Sequence, residues 1–87
     1  MIRAVIIDDE KLARDVIFNY LNEYCPDIEV VAQASSVKTA LSAIQKTTPD
    51  LVFLDIEMPD GTGFDLLNRF EKIDFKIIFV TAYSEYA

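Results

Sequence analysis

The sequence predicts an α/β fold of three layers, in which a parallel β-sheet carries helices on both faces. Short runs of β-branched and other apolar residues alternate with segments in which apolar residues recur every three or four positions, as in an amphipathic helix. The run Leu51–Leu54 is apolar at every position, which is typical of a strand covered on both faces. We predict one domain over residues 1–87, because no linker interrupts the alternation.

The first half of the chain predicts two strands and two helices. The β-branched run Ile2–Ile7 predicts the first strand. The apolar positions of the helix that follows share one face and are Ala13, Val16, Ile17, Tyr20, Leu21 and Tyr24. Pro26 ends that helix, and Ile28–Ala32 predicts the second strand. Ser35 or Ser36 is the expected N-cap of a second helix, whose inner face consists of Val37, Ala40, Leu41 and Ile44.

The second half predicts two more strands and one more helix. The third strand, Leu51–Leu54, ends at Asp55. Glu57–Thr62 is interpreted as a loop, because it contains a proline and a glycine. The apolar positions that mark the third helix are Phe64, Leu67 and Phe70. Ile77–Val80 predicts the fourth strand, which ends at Thr81.

Composition and charge disfavour several classes of protein. The net charge of −7 argues against direct nucleic-acid binding by this segment, which calls for a basic face. No apolar run approaches the ~20 residues that cross a bilayer, and no signal peptide precedes the first strand. The single cysteine, Cys25, excludes an intrachain disulfide and is typical of a reducing compartment. We therefore expect a soluble, cytoplasmic protein.

Oxygen-bearing side chains follow three of the predicted strands. Asp8 and Asp9 come after the first strand, Asp55 after the third and Thr81 after the fourth. In the strand order 2-1-3-4 these strands are neighbours about 4.8 Å apart, so their carboxyl ends converge where open parallel sheets bind ligands. Carboxylates gathered there repel one another, so either one is protonated or a cation is bound. An all-oxygen set suits Mg²⁺ or Mn²⁺.

Each of these residues also has an ordinary structural interpretation. Asp8 and Asp9 precede a helix and would serve as N-caps, Asp55 would begin a turn, and Thr81 would be a plain strand-end residue. Their joint placement at the ends of adjacent strands favours a site. The two glycines lack the third glycine and the lysine of a phosphate-binding loop, so they are interpreted as turn residues.

Three segments of the sequence together resemble the receiver domain of bacterial response regulators. They are VIIDDE, which ends at Glu10; LVFLDIEMP, which ends at Pro59 and is followed by Gly63; and FVTA, which ends at Ala82. The resemblance covers the whole chain and implies a flavodoxin-like fold. It also implies that Asp55 accepts a phosphoryl group and that Ala82 is the small neighbour that leaves this group room.

The same resemblance implies a metal site and a switch residue. Asp8 and Asp9 would be the acidic pair of the site. The protein ligands of Mg²⁺ would be Asp9, Asp55 and the backbone carbonyl of Glu57, and Thr81 would be the switch hydroxyl. Because the chain contains no histidine, the phosphoryl group must come from another molecule, and the resemblance implies a sensor histidine kinase. The segments DIEMP and TAYSEYA further resemble those of receivers attached to LytTR-type DNA-binding domains. This resemblance implies an output domain that controls transcription.

The sequence departs from the receiver pattern in two ways. A complete receiver continues through a fourth helix, a fifth strand that ends in a lysine, and a fifth helix, and none of these is in this chain. With the fifth strand missing, we expect the apolar fourth strand to promote self-association. Thr62 stands where many relatives have an acidic residue or asparagine.

Two other functions remain open from the sequence. A metal-dependent phosphohydrolase also places aspartates at strand ends, but such enzymes usually have Asp-x-Asp, and here the third position is Glu57. The other is an interaction or dimerisation module with an impaired switch, because the lysine is absent. A switch is expected to react once, and an enzyme to turn over many times.

Overall fold

The computed structural model describes residues 1–80. Strands and short helices alternate along this part of the chain. In chain order the elements are β1 (Ile2–Ile7), α1 (Lys11–Tyr24), β2 (Ile28–Ala34), α2 (Val37–Thr47), β3 (Leu51–Leu54), β4 (Glu57–Met58), β5 (Gly61–Thr62), α3 (Gly63–Leu67) and β6 (Lys76–Phe79).

The main sheet has four parallel strands in the order β2-β1-β3-β6. Since β6 is the fourth strand of the predicted series, the predicted order 2-1-3-4 is confirmed. In register, Ile7 lies opposite Leu54, and Leu54 lies opposite Phe79. The carboxyl ends of β1, β3 and β6 therefore reach the same edge of the sheet.

Helices cover both faces of this sheet, as predicted. Alternate residues of β1 point to opposite faces, which is the two-residue period of a strand. Val5 and Ile7 pack in a core with α2 and α3, whereas Ala4 and Ile6 pack in a second core with Leu21 of α1. Both cores also include residues of β3. The all-apolar run Leu51–Leu54 thus follows from burial on two faces.

The predicted boundaries differ from the structure at several places. β2 extends to Ala34, and the predicted loop Glu57–Thr62 contains a small antiparallel hairpin, in which Glu57 pairs with Thr62. α3 ends at Leu67, so the prediction that Phe70 continues this helix is wrong. The N–H of Phe70 donates to the carbonyl of Leu67 at 3.2 Å, and such an i to i+3 bond tightens and closes a helix.

The predicted apolar face of α1 is only partly buried. Leu21 is buried, but Val16, Tyr20 and Tyr24 are 68%, 59% and 62% exposed. Between α1 and β6 lies an open apolar groove of about 400 Å³, lined by Val16, Ile17, Tyr20, Leu21, Cys25, Ile28, Leu51, Phe53, Ile78 and Val80. The apolar stripe on α1 is therefore wider than its contact with the sheet. Over residues 1–80, no helix is long and apolar enough to cross a membrane.

Candidate functional site

Asp8 and Asp9 lie in the turn between β1 and α1. The backbone of Asp8 continues the sheet, since its N–H donates to the carbonyl of Ala34 at 3.1 Å. The Asp8 carboxylate accepts the N–H of Glu10 at 2.9 Å. Arg14 of α1 donates through Nη1 to the Asp8 carbonyl at 2.7 Å. These bonds fix the backbone that presents both carboxylates at the sheet edge.

Asp55 directly follows β3 and is largely buried, with 9% of its surface exposed. Its N–H donates to the carbonyl of Ile7 at 2.9 Å, so it lies beside the end of β1. Its Oδ1 accepts the N–H of Ile56 at 2.8 Å, which orients the carboxylate. The chain then passes Gly63, where a Cβ atom would lie only 2.6 Å from the Asp55 carbonyl oxygen. This position requires glycine because the backbones approach so closely.

The carboxylates of Asp8, Asp9 and Asp55 converge. One oxygen from each lies within 4.8 Å of the others. Burial, and next the charge of Asp8, raises the pKa of Asp55 from its ordinary 3.8 to about 6. Burial also raises the pKa of Asp8. Negative charge is thus concentrated at a partly desolvated site, which a cation would relieve.

The chemistry of this donor set fits a small divalent cation. Three carboxylates offer hard oxygen ligands, which Mg²⁺ and Mn²⁺ prefer. Softer metals prefer nitrogen and sulfur ligands. Asp55 is buried and Asp9 is exposed, so the cluster opens from the protein interior toward solvent. A ligand that carries its own oxygen atoms could therefore approach from outside.

Of the remaining predicted site residues, Glu57 lies within the part of the chain that the structure describes. Glu57 lies in β4, two residues after Asp55, with its backbone in the hairpin ladder. Thr81 and Ala82 lie outside the described residues, so their roles stay predictions. Val80, the last described residue, donates its N–H to the carbonyl of Leu54 at 2.9 Å, which places Val80 beside the end of β3.

Three polar side chains have roles that the sequence interpretation missed, in the hairpin after Asp55 and at the start of α3. Asp60, at the turn of the hairpin, accepts the N–H groups of Val37 and Lys38. These two donors hold the pKa of Asp60 below its ordinary value. Thr62 caps α3 by accepting the Asp65 N–H at 3.0 Å, and Asp65 accepts the Thr62 N–H in return. The spacing Thr-x-x-Asp before an apolar helix could have revealed this cap.

Comparison with known proteins gives one consistent family. The family model described as the response regulator receiver domain matches residues 4–87. The chain is 40% identical over 89 residues to the "Sensory transduction protein LytT" of Bacillus anthracis, covering 100% of this chain and 36% of that protein. It is 46% identical over 88 residues to an uncharacterised response regulatory protein of Yersinia pestis, covering 100% of this chain and 37% of that protein. The chain thus spans about a third of the length of these relatives.

Solved structures give the same fold. The response regulator domain of Thermotoga maritima CheB superposes with a TM-score of 0.85 at 29% identity, over 94% of this chain and 61% of that one. The MaeR response regulator bound to beryllium trifluoride has a TM-score of 0.88 at 26% identity, over 99% of this chain and 71% of that one. The sheet order and the helices on both faces are therefore those of known receiver domains.

Proposed function

We propose that this chain, which belongs to the response regulator receiver domain family, serves phosphorelay signalling by accepting a phosphoryl group on the carboxylate of Asp55. The observation that carries the proposal is the convergence of three carboxylates at the carboxyl edge of the sheet. Membership of the receiver family supports Asp55 as the acceptor among them. It is largely buried at the end of the central strand β3, and the Ile56 N–H orients its carboxylate.

The acceptor step needs the ionised form of Asp55. With a pKa of about 6, the carboxylate is mostly charged above pH 7. One oxygen attacks the phosphorus of a phosphohistidine, forming the P–O bond of an acyl phosphate while the P–N bond breaks. The electron pair of that bond leaves with the imidazole nitrogen. With acetyl phosphate as the donor, a P–O bond breaks instead and acetate leaves.

The residues that would hold Mg²⁺ are Asp8, Asp9 and Asp55 through carboxylate oxygens, and Glu57 through its backbone carbonyl. When bound, the ion supplies positive charge that offsets the charge of the transferring phosphoryl group. Asp8 and Asp9 belong to the turn after β1, and Asp55 directly follows β3, the neighbouring strand of the sheet. The fold thus gathers ligands that are 46 residues apart in sequence (Asp9 to Asp55).

The partners follow from this chemistry and from the relatives. The phosphodonor is another molecule, since the chain has no histidine of its own, and membership of the receiver family supports a sensor histidine kinase in this role. The similarity to LytT supports a LytTR-type DNA-binding output domain and control of transcription, in the cytoplasm. In this proposal the Thr81 hydroxyl reports phosphorylation by turning toward the new phosphoryl oxygens, and Ala82 leaves them room.

The test is phosphorylation with acetyl phosphate and Mg²⁺, followed by intact-protein mass spectrometry. The wild-type chain should gain one phosphoryl group that neutral hydroxylamine removes, as it removes acyl phosphates. Asp55→Asn should gain none. In a Mn²⁺ titration followed by paramagnetic broadening, Asp9→Ala should lose binding. Glu71→Gln, which alters an exposed acid, should behave as wild type in both assays. An adduct on Asp55→Asn would assign the acceptor elsewhere. Release of phosphate over many turnovers would indicate a phosphohydrolase instead of a switch.

A second function, self-association, is favoured by the open apolar groove between α1 and β6. Val16, Tyr20 and Ile78 line it and are about half exposed or more. Within residues 1–80, β6 pairs on one side only. Exposed apolar surface and a free strand edge both favour pairing with another chain. Light scattering over a hundredfold concentration range tests this. Val16→Lys should reduce association, whereas Leu12→Lys, exposed on α1 outside the groove, should not; a concentration-independent monomer would exclude it.

A further inference from the structure

The hairpin that follows Asp55 is tied to helix α2 by one side chain. The two-residue strands β4 and β5 are joined by a turn at Pro59 and Asp60. The Asp60 carboxylate reaches α2, where Oδ1 accepts the N–H of Val37 at 2.7 Å and Oδ2 accepts the N–H of Lys38 at 3.1 Å. Both carboxylate oxygens are therefore used in a contact between segments more than 20 residues apart.

The two Asp60 bonds could serve to cap α2 or to hold the hairpin. Helix α2 also has a cap of its own, so the two roles can be tested separately. Ser36 Oγ accepts the N–H of Thr39 at 3.1 Å, and the Ser36 N–H donates to Thr39 Oγ1 at 3.1 Å. Local capping therefore satisfies the third N–H of the helix, whereas Asp60 satisfies the first two. Removing Ser36 weakens the helix end alone, but removing Asp60 also releases the hairpin.

The hairpin lies close against α2 at this point. A Cβ atom on Gly61, which has a φ of +148°, would lie 3.3 Å from Cγ2 of Val37 and 3.1 Å from Oδ2 of Asp65. The base of the hairpin is held separately, since the Gly63 N–H donates to the carbonyl of Ile56 at 2.7 Å. The segment 57–62 is thus closed at its base by the bond between Gly63 and Ile56, and held at its turn by α2.

We propose that Asp60 is a positioning residue for the acidic site, which sets the place of the Glu57 backbone carbonyl relative to the carboxylates of Asp8, Asp9 and Asp55. It acts through the hairpin backbone and does not itself bind the ion. This inference rests on the proposed function, because it assumes that the Glu57 carbonyl is a ligand of the cation. Tying the turn to α2 keeps the hairpin from drifting when the ion is absent, so less order has to be gained on binding.

The experiment compares Asp60→Ala, Asp60→Asn and Ser36→Ala with the wild type in Mn²⁺ titrations followed by paramagnetic broadening. Asp60→Ala should weaken Mn²⁺ binding by about tenfold, the low end for residues that orient metal ligands. Asp60→Asn keeps one acceptor oxygen, so its Mn²⁺ affinity should lie between those of the wild type and Asp60→Ala. Ser36→Ala also removes a cap of α2, and should lower the melting temperature while leaving the Mn²⁺ affinity at the wild-type value.

A second readout needs no metal. In EDTA, amide hydrogen exchange across residues 57–62 should be faster in Asp60→Ala than in Ser36→Ala, whereas the first turn of α2 should exchange faster in both. Unchanged Mn²⁺ affinity of Asp60→Ala, or faster exchange confined to α2, would overturn the inference and leave the proposed function standing. A wild-type chain that binds no Mn²⁺ would overturn the proposed function, and with it the role of Asp60.

Discussion

Replacing Asp55 by asparagine should stabilise the metal-free protein. The Asp55 carboxylate is largely buried and close to two other carboxylates, so its charge is unfavourable in the folded state. Asparagine has the same shape and keeps an oxygen that can accept the Ile56 N–H, now at 2.8 Å. The substitution therefore removes the charge and leaves this hydrogen bond and the local packing in place.

The size of the effect follows from the pKa. Folding raises the pKa of Asp55 from 3.8 to about 6, and each pKa unit corresponds to about 1.4 kcal/mol. Without screening, the charged Asp55 would therefore lower the free energy of unfolding by about 3 kcal/mol. Because the cluster opens to solvent at Asp9, screening reduces this to about 1–3 kcal/mol. The folded state binds the Asp55 proton more tightly than the unfolded state. The stability gained from protonated Asp55 is therefore complete below pH 3.8 and is lost as the pH rises through about 6.

The assay is urea unfolding of wild type and Asp55→Asn in EDTA, at several pH values between 4 and 8. The free energy of unfolding of Asp55→Asn should exceed that of wild type at pH 7.5, and the difference should shrink as the pH falls below 6. Asp60→Asn is the matched control and should lower the free energy of unfolding. Two N–H donors lower the pKa of Asp60 in the folded state, so the charge of Asp60 favours folding. Equal or lower stability of Asp55→Asn at pH 7.5 would refute the argument that charge at this site opposes folding.

Two further substitutions test the backbone around the site and the end of α2. Gly63→Ala should destabilise the protein by about 1–3 kcal/mol in urea unfolding, the usual cost of overpacking, because its Cβ would lie 2.6 Å from the Asp55 carbonyl oxygen; an unchanged urea midpoint would contradict this. Thr48→Gly should raise the melting temperature and stabilise the protein by about 1 kcal/mol, because Thr48, the C-cap of α2, has a φ of +43°, which glycine adopts without strain. A lower melting temperature would show that the threonine side chain contributes more than its strain costs.

Local patterns in the sequence were enough to predict most of the fold. The alternation of strands and helices follows from the spacing of apolar residues, which is a property of neighbouring positions in the chain. The run Leu51–Leu54 predicted burial on both faces, and the structure places it between two cores. Asp8, Asp9 and Asp55 could be expected to meet because parallel strands bring their carboxyl ends to one edge, and the structure brings these three carboxylates together.

Tertiary structure decided the features that depend on how distant segments fit. The pattern on α1 showed which residues form its apolar face, but the width of the surface that covers them decided that Val16 and Tyr20 stay exposed. Likewise, Asp60 in a Pro-Asp-Gly turn reads locally as an ordinary turn residue. Only the packing of the hairpin against α2 brings its carboxylate to Val37 and Lys38. Such bonds form between segments far apart in the sequence, so no local spacing encodes them.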